Sequence, residues 1–215
     1  MDRKIAVEVK NLSKAINGKK ILDNISLSLE EGNIYGIIGR NGSGKTMLFK
    51  TICGLVRPTE GETFVFDQKI HNGELVKNTG VIIENPGFLP QYSAFLNLKM
   101  LSSINNLLND EEIKNVISLV GLDPDDKRPV KKYSLGMKQR LGIAQAIMEN
   151  PKLLILDEPM NALDEQGVEL ARDILIHLKN QGVTILMASH NKEDIEALCD
   201  FVYTIVNGKL LSSAI

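Results

Sequence analysis

The stretch Ile34-Tyr35-Gly36-Ile37-Ile38-Gly39-Arg40-Asn41-Gly42-Ser43-Gly44-Lys45-Thr46 decides the fold. A strand-sized apolar run enters a turn of the pattern Gly, four residues, Gly-Lys-Thr. A helix is expected next, with Met47, Leu48, Ile52 and Leu55 on its apolar face. Strand, glycine-rich loop and helix in this order form a phosphate cradle. Glycines admit backbone shapes and close approaches that a Cβ forbids. The loop N–H groups and the helix N-terminus then present positive dipole ends to an anion. Gly39, Asn41, Gly42, Ser43, Gly44 and Met47 are therefore candidate nucleotide-contacting residues. Lys45 is expected to reach the β- and γ-phosphates, and the Thr46 hydroxyl to ligate Mg²⁺.

Working outward, Ile5, Val7 and Val9 alternate, as do Ile25, Leu27 and Leu29, and Asn17-Gly18 lies between them. That pattern predicts a β-hairpin. Beyond the cradle, Phe64-Val65-Phe66 and Val81-Ile82-Ile83 read as short strands. From Asn85 to about Asn150 helical periods dominate, such as Ile113, Val116, Ile117 and Val120. Strand and helix then alternate: strand 153–156, helix 168–180, strand 183–188, helix 191–199 and strand 201–206, closed by Asn207-Gly208. Such alternation implies βαβ units and a largely parallel sheet covered on both faces.

The chain has 215 residues and a net charge of -2, so no polyanion-binding face is advertised and nucleic acid is not an expected partner. The start, Met1-Asp2-Arg3-Lys4, leads into a strand pattern and carries no leader signature. No window approaches the roughly 20 apolar residues of a membrane span. Cys53 and Cys199 sit far apart in apolar contexts and read as buried reduced thiols.

A second constellation lies at Leu153-Leu154-Ile155-Leu156-Asp157-Glu158-Pro159. In a parallel sheet, ligands gather at the carboxyl ends of strands. Asp157 is thus a candidate Mg²⁺ ligand, and Glu158 a candidate general base for an attacking water.

Tyr133-Ser134-Leu135-Gly136-Met137-Lys138-Gln139-Arg140 opens a helix shortly before this acidic strand. It resembles the signature of the ATP-binding-cassette (ABC) family, usually Leu-Ser-Gly-Gly-Gln. Ser134 and Gly136 match it, whereas Tyr133, Leu135 and Met137 depart. Asn161-Ala162-Leu163-Asp164 is similar to that family's Ser-Ala-Leu-Asp loop, and His190 to its switch histidine. The resemblance spans essentially the whole chain. It implies an α/β fold: a P-loop NTPase core with a mostly parallel sheet, an N-terminal antiparallel β subdomain and an inserted α-helical subdomain. Residues 1–84 and 151–215 would form the ATP-binding core with the β subdomain, and 85–150 the helical subdomain. It further implies an ATPase using ATP and Mg²⁺. In that family, Ser134 and Gly136 would bind the γ-phosphate held by the other member of a homodimer or paired cassette, and His190 would join Glu158 in catalysis. A separate integral membrane permease is the implied partner, with the chain peripheral on the cytoplasmic face of a bacterial membrane.

Two departures carry information. Glu84 stands where the family usually has Gln, adding a carboxylate that can ligate Mg²⁺ as an oxygen donor. Together with the Tyr-Ser-Leu-Gly-Met-Lys-Gln-Arg signature, it resembles the branch exporting bacitracin-like and lantibiotic peptides. Ile16 stands where an aromatic usually stacks on adenine, so looser adenine selectivity is expected. The alternative function is a soluble ABC ATPase of a non-transport assembly complex.

Overall fold

In the computed structural model, residues 4–71, 76–84, 86–105 and 107–211 are described. The first three residues of the expected leader-free start, and Asn85, where the helical segment was expected to open, lie outside them.

The chain begins with β1 (Ile5–Ile16), β2 (Lys19–Glu30), β3 (Ile34–Ile38) and α1 (Lys45–Ile52). It continues through β4 (Glu60–Val65), β5 (Gln68–Lys69), β6 (Thr79–Ile82), α2 (Ala94–Asn105) and α3 (Asp110–Leu119). A 3-10 turn (Val130–Lys132) precedes α4 (Leu135–Ile147) and β7 (Leu153–Asp157). The last elements are α5 (Glu165–Asn180), β8 (Thr184–Ala188), α6 (Lys192–Leu198), β9 (Phe201–Val206) and β10 (Lys209–Leu211).

Two sheets result. The four-stranded one has order β2-β1-β4-β5 and is antiparallel throughout. Asn17 and Gly18 both take left-handed φ (50° and 76°) at its hairpin, as a two-residue loop between twisted strands requires. The six-stranded sheet has order β10-β9-β3-β8-β7-β6, with every pair parallel except β10 on β9.

The strand period of two splits this sheet's residues between two cores. Ile34, Leu154, Leu156, Ile185 and Met187 face a core built with α4 and α5. Tyr35, Ile37, Leu153, Ile155, Leu186 and Ala188 face a core shared with α1 and the antiparallel sheet. Covered on both faces, β7 and β8 are buried along their whole length. Their uninterrupted apolar sequence follows from that.

Three sequence readings need correction. Leu55 does not join the apolar face of α1, because the helix ends at Ile52. Gly54, at φ 75°, reverses the chain there, leaving Leu55 half-exposed while Phe49 fills the core. The strand expected at Phe64-Val65-Phe66 stops at Val65, since Phe66 and Asp67 take left-handed φ and turn the chain into β5. Asn207-Gly208 does not merely close a strand; it reverses the chain into β10. Both cysteines are free, and burial pushes each thiol up to about 12. Among the described residues no helix is long and apolar enough to cross a membrane.

Candidate functional site

The loop between β3 and α1 opens a cleft of about 620 Å³, lined by residues 41–47 together with Lys50, Glu84, Asp157 and Glu158. Gly44 is the N-cap of α1 at φ 115°, a backbone state that L side chains rarely adopt. It supplies no side-chain cap, so the first-turn N–H groups of α1 lack one. Lys45 is buried, and its Nζ donates to the Gly39 carbonyl oxygen at 2.8 Å. The Thr46 hydroxyl donates to Asp157 Oδ2 at 2.6 Å. Among the described residues the buried Ser43 Oγ has no hydrogen-bond partner. A buried unpaired hydroxyl beside a helix start that has no side-chain cap suits an anionic ligand.

The opposite wall comes from β7, whose buried run delivers Asp157 and then turns. Glu158 adopts φ 54°, and its N–H donates to the Ala188 carbonyl at the end of β8. Its Oε2 lies 2.8 Å from His190 Nδ1 and accepts the His190 backbone N–H at 3.3 Å. The Gln139 amide donates to the Pro159 carbonyl at 2.9 Å. Glu84, also at positive φ, is not free in the cleft: Lys50 Nζ stands 2.6 Å from its Oε1. Thr46 and Asp157 offer two hard oxygen donors, and no cluster of three His, Cys, Asp or Glu exists among the described residues. A divalent cation here would therefore draw further ligands from phosphate and water, which is the habit of Mg²⁺.

Ser134 and Gly136 are elsewhere. Ser134 is the N-cap of α4, and its Oγ accepts the Met137 N–H at 3.1 Å. A Cβ on Gly136 would stand 2.8 Å from the Ala162 carbonyl oxygen, so glycine lets α4 start hard against that loop. Both residues line a second cleft of about 600 Å³, with Arg140, Ala162 and Asp164, and the two clefts share no residue. Arg140 donates to Asp164 at 2.7 Å and holds its carboxyl below the usual carboxylate range. Ile16 ends β1, part-exposed, and lines neither cleft. Sequence reasoning missed Ile21, Lys50 and Gln139 as cleft residues. Lys50 lies one helical turn past Thr46, a spacing that signals a shared face; Ile21 and Gln139 had no such mark.

Fold and cradle together define a P-loop nucleotide-binding cassette of the ATPase class. The chain belongs to the ABC transporter family, whose profile matches residues 22–161. It is 50% identical over 208 residues to an uncharacterized ABC transporter ATP-binding protein, YybJ, of Bacillus subtilis, covering 96% of this chain and 95% of the relative. The lantibiotic transport ATP-binding protein SrtF of Streptococcus pyogenes is 38% identical, with 95% of this chain and 89% of the relative covered. The bacitracin transport ATP-binding protein BcrA of Bacillus licheniformis is 39% identical, with 95% and 68% covered. These likenesses place the chain in the bacitracin/lantibiotic branch. The fold superposes on the ATP-binding cassette MJ0796, solved as a dimer in a post-hydrolysis state bound to ADP and Pi. There the TM-score is 0.86 at 22% identity, with 95% of this chain and 96% of that one covered.

Proposed function

We propose that the chain is the motor subunit of an exporter of antimicrobial peptides or drug-like molecules, peripheral on the cytoplasmic face of a bacterial membrane and coupled to a separate permease. The observation carrying this reading is the separation of the two clefts on one chain. The cradle with Asp157 and Glu158 holds one part of a nucleotide site, and the hydroxyl-capped start of α4 another. In a head-to-tail pair of cassettes, each cradle meets the other chain's α4.

On ATP binding, Lys45 exchanges the Gly39 carbonyl for the β- and γ-phosphates, and Ser43 gains an acceptor for its hydroxyl. Thr46 and Asp157 are the residues that would hold Mg²⁺, which when bound would supply charge neutralisation at the phosphates. Ser134 Oγ and the N–H of Gly136, from the second chain, meet the γ-phosphate. Glu158 then accepts a proton from the attacking water, while His190, already at its carboxylate, orients it and faces the γ-phosphate. Glu84, which already pairs with Lys50 through Oε1, would share its carboxylate between that lysine and the cation. Ile16, and Ile21 beside the cradle, would pack on the base. In this reading 85–150 is the helical subdomain meeting the permease, and 1–84 with 151–215 the nucleotide-binding core.

The test pairs a variant with a capture. Glu158→Gln should remove most turnover and accumulate an ATP-bound dimer on size exclusion, and the tagged chain should retain a stoichiometric multi-span protein in mild detergent. Parental turnover in Glu158→Gln would remove Glu158 as the base. Reproducible recovery of soluble partners alone would replace the exporter with an assembly ATPase.

A further inference from the structure

Gln139 is a buried amide on the second turn of α4, yet it reaches out of its own helix. Its Nε2 lies 2.9 Å from the Pro159 carbonyl oxygen and 3.4 Å from that of Glu158. Both neighbours are acceptors, so the NH₂ end of the amide must face them. The turn it grips is unusual. Glu158 holds a left-handed φ of 54°, which costs an L-residue about 1–2 kcal/mol and persists only where its surroundings impose it. One imposing contact comes from the sheet, where the Glu158 N–H donates to Ala188. The Glu158 carbonyl also accepts the Asn161 N–H at 3.2 Å, and from outside this segment the Gln139 amide holds the Glu158 and Pro159 carbonyls. Two more contacts seat the start of α4 on the same segment: Gly136 against Ala162, and Arg140 on Asp164.

We infer that Gln139 is a positioning residue that ties α4, the helix capped by Ser134, to the turn presenting Glu158, so that the carboxylate is aimed only while the first turns of α4 are seated. The inference rests on the reading of Glu158 as general base. It gives one chain a mechanical link from the helix start that meets a neighbour's phosphate to the carboxylate serving its own. Gln139 lines the nucleotide cleft, but its amide bonds to the carbonyls of Glu158 and Pro159 and not to the loop Asn41 to Thr46, so its loss should fall on turnover well ahead of ATP affinity.

Two variants and one control test this. Gln139→Met keeps length and volume but has no donor. It should lower kcat roughly ten- to a hundredfold, the scale of a small misplacement of a reacting group, with the ATP dissociation constant moving much less than kcat. Gln139→Glu faces two carbonyl oxygens with an acceptor when ionised, and regains one O–H donor when protonated. Its turnover relative to the parent should therefore rise as pH falls, a recovery absent from Gln139→Met. The inference is overturned if Gln139→Met turns over within about twofold of the parent, a change too small for a lost hydrogen bond. It also fails if ATP affinity falls in step with kcat, or if the Gln139→Glu profile parallels the parent's. Should Gln139→Met not fold by circular dichroism, the acid recovery of Gln139→Glu decides alone. In the control, Glu158→Gln with parental turnover removes the base reading itself, a failure distinct from a silent Gln139→Met beside a dead Glu158→Gln.

Discussion

Arg172→Met strips the counter-charge from Asp194. The Asp194 side chain is 3% exposed and takes two bonds from the guanidinium, at 2.6 and 3.1 Å, joining α5 to the first turn of α6. Removing one partner of a buried ion pair costs about 3–5 kcal/mol, because the remaining charge keeps its desolvation penalty. Arg172 is itself 25% exposed, so water enters the vacated space and the lower end, about 3 kcal/mol, applies. The N-terminal dipole of α6 offsets up to about 1 kcal/mol of this, and the Ser189 hydroxyl at 3.4 Å adds little. The net loss is about 2 kcal/mol. With a urea dependence near 3 kcal/mol per molar for a chain of this size, the midpoint should fall by about 0.7 M. The chain has no tryptophan, so far-ultraviolet circular dichroism is the assay. Turnover should fall as well, since Ser189 and Asn191, joined by a 3.0 Å bond, hold His190 between them. Adding Asp194→Asn removes the stranded charge and should recover more than half of the loss. A midpoint shift under about 0.2 M, far below the cost of a stranded buried charge, would refute the reasoning, as would a double variant no better than the single.

Two further outcomes are expected. Asp164 is held below the usual carboxylate range by Arg140, so its contribution to stability is present above the unfolded value, about 3.9, and is lost as pH falls through the folded one. The stability gap between the parent and Arg140→Met should thus be steady near neutrality and narrow below about pH 4; urea midpoints that differ equally at both pH values would assign Arg140 to packing alone. In the proposed reading Ile16 packs on the base, so the ratio of kcat/KM for ATP over GTP should stay within about tenfold, the modest discrimination of apolar contacts. A preference well beyond that in a competition assay would count against the assignment.

The cradle, the acidic strand and the order of motifs were legible because each is written in consecutive residues whose chemistry and spacing are local. Asp157 meeting Thr46 followed from the rule that strand ends converge in a parallel sheet. What stayed hidden depends on contacts between distant segments, or on the backbone state of single residues. Nothing local marks Gln139 as gripping residues 158 and 159, or Lys50 as paired with Glu84, because both bonds exist only once separate elements have packed. The end of α1 was misread because Leu55 fits the helical period, while Gly54 three residues beyond Lys50's neighbour Thr51 ends it. The hairpin into β10 was misread because Asn-Gly closes a strand and reverses one with the same two residues.

The disjoint clefts carry a genetic meaning. If each working site draws its cradle from one copy and its capped helix from another, damage does not belong to the chain that bears it. A copy lacking Lys45 spoils the site it carries, while a copy lacking Ser134 spoils its neighbour's. Brought together, the two crippled alleles concentrate both faults in one site and leave the other whole, so two inactive genes could sustain one active pair.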